Sequence, residues 1–122
     1  MFGNCLEIVM KTCLFCQISQ KQIPSKVQFE SGEIFAFDDA NPKAPVHILI
    51  IPKRHIENVA TANSQDKKLL GEMILTAQKL AQDKKIDQTG YRLVFNTRRH
   101  AGQIVDHIHL HLIGGKKLGQ MA

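Results

Sequence analysis

The sequence predicts an α+β fold, with an antiparallel sheet of about five strands, one long helix and a short N-terminal helix. A serine-glycine turn at residues 31–32 separates two apolar runs, a pattern that is typical of a hairpin between antiparallel strands. The predicted helices do not alternate with the strands as the crossover units of a parallel sheet require. The chain of 122 residues has room for one hydrophobic core, which indicates a single domain.

Short apolar runs define the predicted strands, together with a short helix near the start of the chain. Residues 14–20 are predicted to form this helix, which Pro24 stops soon afterwards. Two prolines within residues 39–45 predict a loop that leads into the third strand. The predicted strands cover residues 26–30, 33–38, 47–51, 91–96 and 107–112.

The long helix is predicted from apolar residues that recur at intervals of three and four positions. These residues are Leu69, Leu70, Met73, Ile74, Ala77, Leu80 and Ala81. Ser64 or Asp66 is predicted to cap the start of the helix, and Gly90 follows its end. The lysines of this segment belong to the other side of the helix, which predicts an exposed, solvated face.

Composition excludes several classes of protein. The net charge of +5 favours an anionic partner, but aromatic residues are not interleaved with the basic ones as nucleic-acid stacking needs. No apolar run reaches the length of about 18 residues that a membrane-spanning helix needs. The first ten residues lack the pattern of a secretory signal, which predicts a cytoplasmic protein.

The chain is predicted to have three parts. Residues 1–12 form an N-terminal extension, residues 13–115 the folded domain, and residues 116–122 a C-terminal tail. Met1 and Met10 are equally suitable as natural start positions. No internal repeat, linker or low-complexity segment interrupts the predicted domain.

The densest chemistry lies in residues 107–112, where His107, His109 and His111 alternate with aliphatic residues. Successive side chains of a strand point to opposite faces and rise about 3.3 Å per residue, so the three imidazoles are predicted to share one face. The buried face then consists of Ile108, Leu110 and Leu112.

Three functions fit this row of imidazoles. The unperturbed pKa of histidine is about 6.5, so its protonation changes close to neutral pH. In the first, several of the histidines bind a catalytic metal ion. In the second, the central His109 is a nucleophile, and its neighbours orient it and bind an anion. In the third, the histidines only bind phosphate. The plain alternative is a half-buried strand whose polar positions happen to be histidine.

Further motifs accompany the histidine row in a defined order. They read F-C-x-I, I-P-S-K, F-A-F-D-D, A-P-x-H-x-L-I-I-P-K-R-H, G-Y-R-L-V-F-N and G-Q-x-V-x-H-x-H-x-H, followed by two glycines. With these motifs the chain resembles the histidine triad (HIT) family, most closely its histidine-triad nucleotide-binding branch, over residues 14–115. A lone H-x-H-x-H is a weak signal, whereas the ordered set is specific.

The resemblance implies a hydrolase or transferase that acts on purine nucleotides with a phosphorus–nitrogen or phosphoanhydride bond, such as adenosine phosphoramidates or aminoacyl adenylates. His109 matches the family nucleophile, which would form a nucleotidyl-histidine that water then hydrolyses. His111 matches the histidine that contacts the phosphate or leaving group, and His107 the one that orients the nucleophile. His47 matches the fourth histidine of the family site. No organic cofactor is implied.

The resemblance also implies a set of nucleotide contacts. Asp39 matches the carboxylate that binds the ribose hydroxyls, while Asn96 and Gln103 match donors to the phosphate. The implied apolar wall around the base consists of Phe15, Ile18 and Phe37. The plainer interpretation makes these apolar residues part of the core and makes Asp39 a cap of the proline-rich turn.

Cys13 and Cys16 form a C-x-x-C motif, which is typical of a redox pair or of half a zinc site. Some bacterial members of the family, and the related galactose phosphate uridylyltransferases, carry such a pair with a structural zinc ion. By this resemblance the zinc ligands would be Cys13, Cys16, His55 and His107, an ordinary tetrahedral set. The alternative is a buried Cys16 beside an incidental Cys13. A redox role is disfavoured, because no crossover unit accompanies the pair.

Two departures from the family pattern concern the leaving-group side of the site. Ile104 stands where similar family members have a serine, and the tail lacks the family's tryptophan. These departures leave open a nucleotide-binding, zinc-stabilised interaction protein with little turnover; a metalloenzyme with histidine ligands is a further alternative. The resemblance also implies a homodimer, since related proteins join their sheets edge to edge and so cover an exposed strand edge.

Overall fold

A five-stranded antiparallel sheet carries the fold in residues 12–121, the part of the chain that the computed structural model describes. Its strands are β1 (Val27–Glu30), β2 (Ile34–Asp38), β3 (Val46–Pro52), β4 (Tyr91–Phe95) and β5 (Leu110–Gly114). The α-helices of this part are α1 (Leu14–Ser19) and α2 (Lys67–Asp83). The predicted α+β fold is therefore confirmed. The predicted N-terminal extension lies outside the described residues, apart from Thr12.

The order of the strands is β1-β2-β3-β5-β4, and every neighbouring pair is antiparallel. The first two strands form the predicted hairpin. β3 lies at the centre of the sheet, where it pairs with β2 on one side and with β5 on the other. Leu49 is paired with His111 and Ile113 with His47, so these two histidines are diagonal neighbours across the sheet.

The helices cover opposite faces of the sheet. The main core lies under α2 and includes Ile48, Ile50, Met73, Ala77, Leu80, Leu110 and Leu112. A smaller cluster lies under α1 and consists of Phe15, Ile18, Phe35, Phe37, Leu49 and Ile51. β3 contributes side chains to both layers, which explains why its sequence is apolar almost throughout.

The long helix begins directly after a 3-10 turn at Ser64–Asp66, where its start was predicted. Its buried residues are Leu69, Met73, Ala77, Leu80 and Ala81. Ile74 differs from the prediction, because it is 44% exposed on the outer face. The Asp66 side chain does not cap α2; its carboxylate accepts hydrogen bonds from the Asn63 amide and from Arg54. Neither helix of the described part is long and apolar enough to cross a membrane.

The predicted strand at residues 107–112 is wrong at its start, because β5 begins only at Leu110. Pro52 ends the neighbouring β3, and a proline has no N–H with which to extend the ladder. The backbone N–H of Ile108 donates outside the sheet, to the carbonyl of Ile56 at 2.6 Å. The first two histidines of the row therefore lie in an irregular segment, and only the third lies in the strand. The predicted burial of the three aliphatic residues between them is confirmed.

Candidate active site and metal centre

Four histidines meet where β3 and β5 lie side by side. His47 comes from β3 and His111 from β5, while His107 and His109 come from the irregular segment before β5. The ring centroids of His109 and His111 are 5.0 Å apart, and those of His47 and His111 are 5.2 Å apart. The sequence placed all four residues at one site, and the structure brings them together.

His107 belongs to a cluster with Cys13, Cys16 and His55, whose ligand atoms all lie within 4.8 Å of one another. The His107 ring is fully buried, and its Nε2 lies 2.8 Å from the carbonyl of Pro52. Because a carbonyl only accepts, the proton of a neutral ring is on Nε2 and the lone pair is on Nδ1. That lone pair faces the Cys13 and Cys16 sulfurs at 3.3 and 3.5 Å.

The spacing of this cluster fits a tetrahedral metal ion. Zinc binds sulfur at about 2.3 Å and nitrogen at about 2.0 to 2.1 Å, which places neighbouring tetrahedral ligand atoms about 3.3 to 3.8 Å apart. Four of the separations in this cluster run from 3.2 Å, between the Nδ1 atoms of His55 and His107, to 3.5 Å, between Cys16 Sγ and the Nδ1 atom of either ring. The four residues predicted as zinc ligands therefore lie together with a donor set that suits the ion.

The start of α1 holds the two cysteines of the cluster. Cys13 precedes the first turn, and its sulfur accepts a hydrogen bond from the backbone N–H of Cys16 at 3.4 Å. Burial raises the pKa of the Cys13 thiol, but hydrogen bonds with His107 and His55 outweigh it, so the net pKa is lowered. Burial and the adjacent Cys13 sulfur raise the pKa of Cys16. A bound cation would stabilise both sulfurs as thiolates.

A backbone carbonyl fixes which nitrogen of His109 carries the proton. Its Nδ1 donates to the carbonyl of His107 at 2.7 Å, which leaves the lone pair on Nε2. The ring packs edge to face against Phe15, with centroids 5.0 Å apart. Burial lowers the pKa of His109. The ring is therefore neutral near pH 7, with a free lone pair, which is the form that a nitrogen nucleophile requires.

The pair formed by His47 and His111 is oriented in the same way. The backbone N–H of Lys43 donates to Nδ1 of His47 at 3.0 Å, so a neutral His47 carries its proton on Nε2. That proton is donated to Nδ1 of His111 at 2.9 Å, which leaves the His111 proton on Nε2. His111 Nε2 is buried and has no hydrogen-bond partner among the described residues. A buried N–H without an acceptor indicates where a ligand oxygen or nitrogen belongs.

Asp39, His47 and His111 form a second group whose spacing would also suit a metal ion. The Lys43 amide argues against this function. Since it occupies the His47 Nδ1 lone pair, a neutral His47 has its proton on Nε2 and has no lone pair left for a metal. The Asp39 carboxylate lies 3.4 Å from the same His47 nitrogen, which already donates to His111. This group is a hydrogen-bonding chain, whereas the cysteine cluster is the candidate metal centre.

A cavity of about 510 Å³ opens beside His109 and His111. Its apolar wall includes the predicted Phe15, Ile18 and Phe37, and Leu49 extends that wall although the sequence did not single it out. The predicted Asp39 and Asn96 also line it. Asp39 additionally accepts a hydrogen bond from the Asn41 amide at 2.8 Å, which supports the turn-capping interpretation of Asp39.

Gln103, predicted to donate to the phosphate, does not line this cavity, although its neighbours Gly102 and Ile104 do. Its side chain is buried and fully hydrogen-bonded within the protein. The oxygen accepts from the Arg98 amide at 2.7 Å, and the nitrogen donates to the carbonyls of Glu57 and Val105 at 2.8 and 3.0 Å. Gln103 therefore holds the loop that precedes the histidine row and offers no free side-chain donor to a ligand.

Comparisons with known proteins identify the family of this chain. A family model described as HIT domain matches residues 20–118. The purine nucleoside phosphoramidase of Escherichia coli strain K12 is 44% identical over 108 residues, which cover 88% of this chain and 91% of that protein. The HIT family hydrolase of Legionella pneumophila is 49% identical with a TM-score of 0.87, covering 88% of this chain and 96% of that one.

A more distant solved structure is also similar. The histidine triad nucleotide-binding protein of Candida albicans is 32% identical with a TM-score of 0.77, and the match covers 91% of this chain and 84% of that one. The family model and these relatives each match most of the chain. The chain therefore belongs to the HIT domain family.

Proposed function

We propose that this chain is a hydrolase of purine nucleoside phosphoramidates and related adenylates, in the nucleotide-binding branch of its family, and that it reacts through a nucleotidyl-His109 intermediate. The observation that carries the proposal is that a nitrogen lone pair, on His109, and an N–H donor, on His111, lie at the same cavity. His109 Nε2 is free to attack, while the neighbouring His111 Nε2–H has no partner. Similarity to a purine nucleoside phosphoramidase supports the choice of substrate.

The cavity supplies a contact for each part of a purine nucleotide. Phe15, Ile18 and Phe37 would enclose the flat apolar base, and Asp39 would accept hydrogen bonds from the ribose hydroxyls. Asn96 and His111 line the same cavity and would donate to the phosphate oxygens. The volume of about 510 Å³ is in the range of small-molecule sites, which lies at roughly 300 to 1,000 Å³.

The reaction follows from the two protonation states. The His109 Nε2 lone pair forms a bond to phosphorus as the bond from phosphorus to the amine nitrogen breaks and its electron pair goes to that nitrogen. The nitrogen takes its proton from His111 Nε2. Water then adds its oxygen to phosphorus, the bond to His109 breaks with the electron pair returning to Nε2, and the proton of the water goes to His111. The products are the amine and the nucleoside monophosphate.

The cysteine cluster would hold a structural zinc ion through Cys13, Cys16, His55 and His107. When bound, the ion would supply no step of the reaction but would fix the positions of its ligands. The His107 carbonyl accepts the Nδ1 proton of His109, so a fixed His107 fixes the lone pair of the nucleophile. The same ion would anchor α1, which carries the Phe15 and Ile18 wall of the cavity.

We also propose a homodimer in which β4, at the edge of the sheet, pairs with a second copy. All five residues of this strand are half-buried, and its outer edge has no partner strand in the described part of the chain. Such pairing satisfies the free backbone groups of an edge strand. Sedimentation equilibrium measures it directly.

The exposure of Ile104, which is 86% exposed beside the cavity, favours a second candidate function. An exposed isoleucine suits an interaction surface, so a nucleotide-binding protein with little turnover is the alternative. Calorimetric binding of the nucleotide without hydrolysis of any phosphoramidate would support that alternative over the enzyme.

The test of the proposed reaction is a rapid-quench experiment with adenosine phosphoramidate, followed by intact mass measurement. We expect a covalent nucleotide adduct and steady turnover in the native chain and in the control His100→Gly, which alters an exposed histidine outside the site. His109→Gly is expected to show neither. If the native chain gives no adduct and no turnover, the proposed function is wrong.

A further inference from the structure

A second cavity, of about 400 Å³, adjoins the nucleotide cavity. Both cavities are lined by Asp39, Asn96, Ile104 and His111, but only the first is lined by His109. In a displacement at phosphorus the attacking and leaving atoms lie roughly in line on opposite sides. The leaving amine lies on the side of phosphorus opposite His109. It therefore belongs in the second cavity, which shares the phosphate-binding residues but is not lined by His109.

The walls of this second cavity are mainly apolar. Val94, Ile104, Ile113 and Met121 line it. Ile104 is 86% exposed and Met121 is 53% exposed, so both side chains have apolar surface available to a ligand. A single exposed apolar residue is common on a protein surface, whereas two at one cavity indicate a surface for an apolar ligand.

The C-terminal tail is placed at this cavity by a specific contact. The guanidinium of Arg92, in β4, donates to the carbonyl of Gly119 at 2.8 Å. This bond attaches the tail to β4 at Gly119, two residues before Met121, which lines the cavity. The tail is therefore attached beside the cavity, and Met121 forms part of its wall.

The charged groups of the cavity disfavour a cationic ligand. Lys43 lines it with a positive charge. Asp39 is the negative group there, but in the proposed complex its carboxylate binds the ribose hydroxyls and also accepts from the Asn41 amide. A second positive charge on the leaving group would meet Lys43 and apolar walls, where an unpaired charge is costly.

We propose that this cavity is the leaving-group subsite and that Ile104, Met121 and Lys43 make it select amines with an uncharged apolar body. The inference rests on the proposed phosphoramidase function and names its substrate class. It also assigns a use to Ile104, the residue that stands in place of the family's serine. The apolar wall binds the body of the amine, while His111 Nε2 donates its proton to the amine nitrogen.

The test compares two adenosine phosphoramidates that differ in one terminal group, made from hexylamine and from 1,6-diaminohexane linked at one end. Both have the same phosphorus–nitrogen bond and chain length, but the second carries an ammonium at its far end. We expect kcat/KM for the hexylamine substrate to be higher by about tenfold or more. A ratio near one, with both substrates hydrolysed, would overturn the inference and leave the proposed function standing.

Variants assign the preference to the named residues. Ile104→Ser and Met121→Ser are each expected to lower the ratio of the two kcat/KM values, and Lys43→Gln is expected to lower it by favouring the diamine substrate. Val59→Ser, an exposed apolar residue that lines neither cavity, is the control and is expected to keep the ratio. An unchanged ratio in all three site variants would overturn the assignment. Absence of hydrolysis and of the His109 adduct with both substrates would instead reject the proposed function.

Discussion

His47 Nε2 lies 2.9 Å from His111 Nδ1, and the direction of the hydrogen bond between them is set by a backbone amide. The Lys43 N–H occupies the other nitrogen of His47, so His47 donates and His111 accepts. His111 consequently presents a proton, on a buried Nε2, to the cavity in which His109 presents a lone pair. This difference between two chemically identical side chains is the basis of the first prediction.

His111→Gln is expected to lower kcat/KM for an adenosine phosphoramidate by about 10² to 10⁴-fold, because the departing amine loses its proton donor. The p-nitrophenyl ester of the same nucleotide has a leaving group that needs no proton. With this ester the loss is expected to be at least about tenfold smaller. Equal losses with the two substrates would show that His111 does not act as the acid.

Folding stability is expected to fall at low pH because of the same histidine. Burial, with the neighbouring His109 and His47 rings, lowers the pKa of His111 to about 4. Between pH 6.5 and about 4, His111 binds a proton in the unfolded chain but not in the folded chain. Its contribution to the free energy of unfolding is therefore complete above pH 6.5 and is lost as the pH falls toward 4.

The expected size of this effect is about 2 to 3 kcal/mol, measured as the free energy of unfolding in urea at pH 7 and pH 4.5. His111→Gln removes the titrating group and is expected to reduce the pH dependence by that amount. A variant with the pH dependence of the native chain would contradict the assignment.

The candidate metal centre predicts a zinc ion that matters first for stability. His55→Ala and Cys16→Ser are expected to abolish stoichiometric zinc and to lower Tm by about 5 to 15 °C. His100→Ala, which alters an exposed histidine outside the cluster, is the matched control and is expected to keep both. Zinc content by mass spectrometry and Tm by calorimetry check this. Native protein purified without any bound metal would contradict it.

Gln103→Leu is expected to destabilise the fold by about 3 kcal/mol, because it leaves the Arg98 amide and the Glu57 and Val105 carbonyls without their partner. Gln88→Leu, at an exposed glutamine, is the comparison and is expected to change stability by less than about 0.5 kcal/mol. Urea unfolding measures both. Similar values for the two variants would mean that the Gln103 network contributes little.

Two glycines are expected to respond oppositely to alanine. An added Cβ at Gly71, within α2, meets no atom within 4 Å, so Gly71→Ala is expected to stabilise by about 0.5 to 1 kcal/mol. At Gly114 the Cβ would lie 2.7 Å from Ile86 Cδ1 and 3.3 Å from Tyr91 Cβ. Since Ile86 is itself buried, Gly114→Ala is expected to cost about 1 to 3 kcal/mol. Changes of the same sign would contradict the packing shown here.

The sequence by itself determined the local elements of the fold and the types of side chain available to the two sites. Periodicity indicated the buried face of α2, and the turn at residues 31–32 indicated the hairpin, because both are local properties of the chain. The alternating histidines and the C-x-x-C pair, with the family resemblance of the ordered motifs, singled out the four residues of the cysteine cluster and several residues that line the cavity. Their side-chain types alone restrict the chemistry that they are able to perform.

Only the tertiary structure decided which nitrogen of each neutral imidazole carries the proton. The deciding partners are backbone groups, the carbonyls of Pro52 and His107 and the amide of Lys43, and every residue type carries such groups, so no sequence pattern reveals them. The late start of β5 and the inward position of Gln103 likewise depend on hydrogen bonds between distant segments. The physical reason is that a hydrogen bond assigns a histidine proton through three-dimensional proximity, which the order of residues does not record.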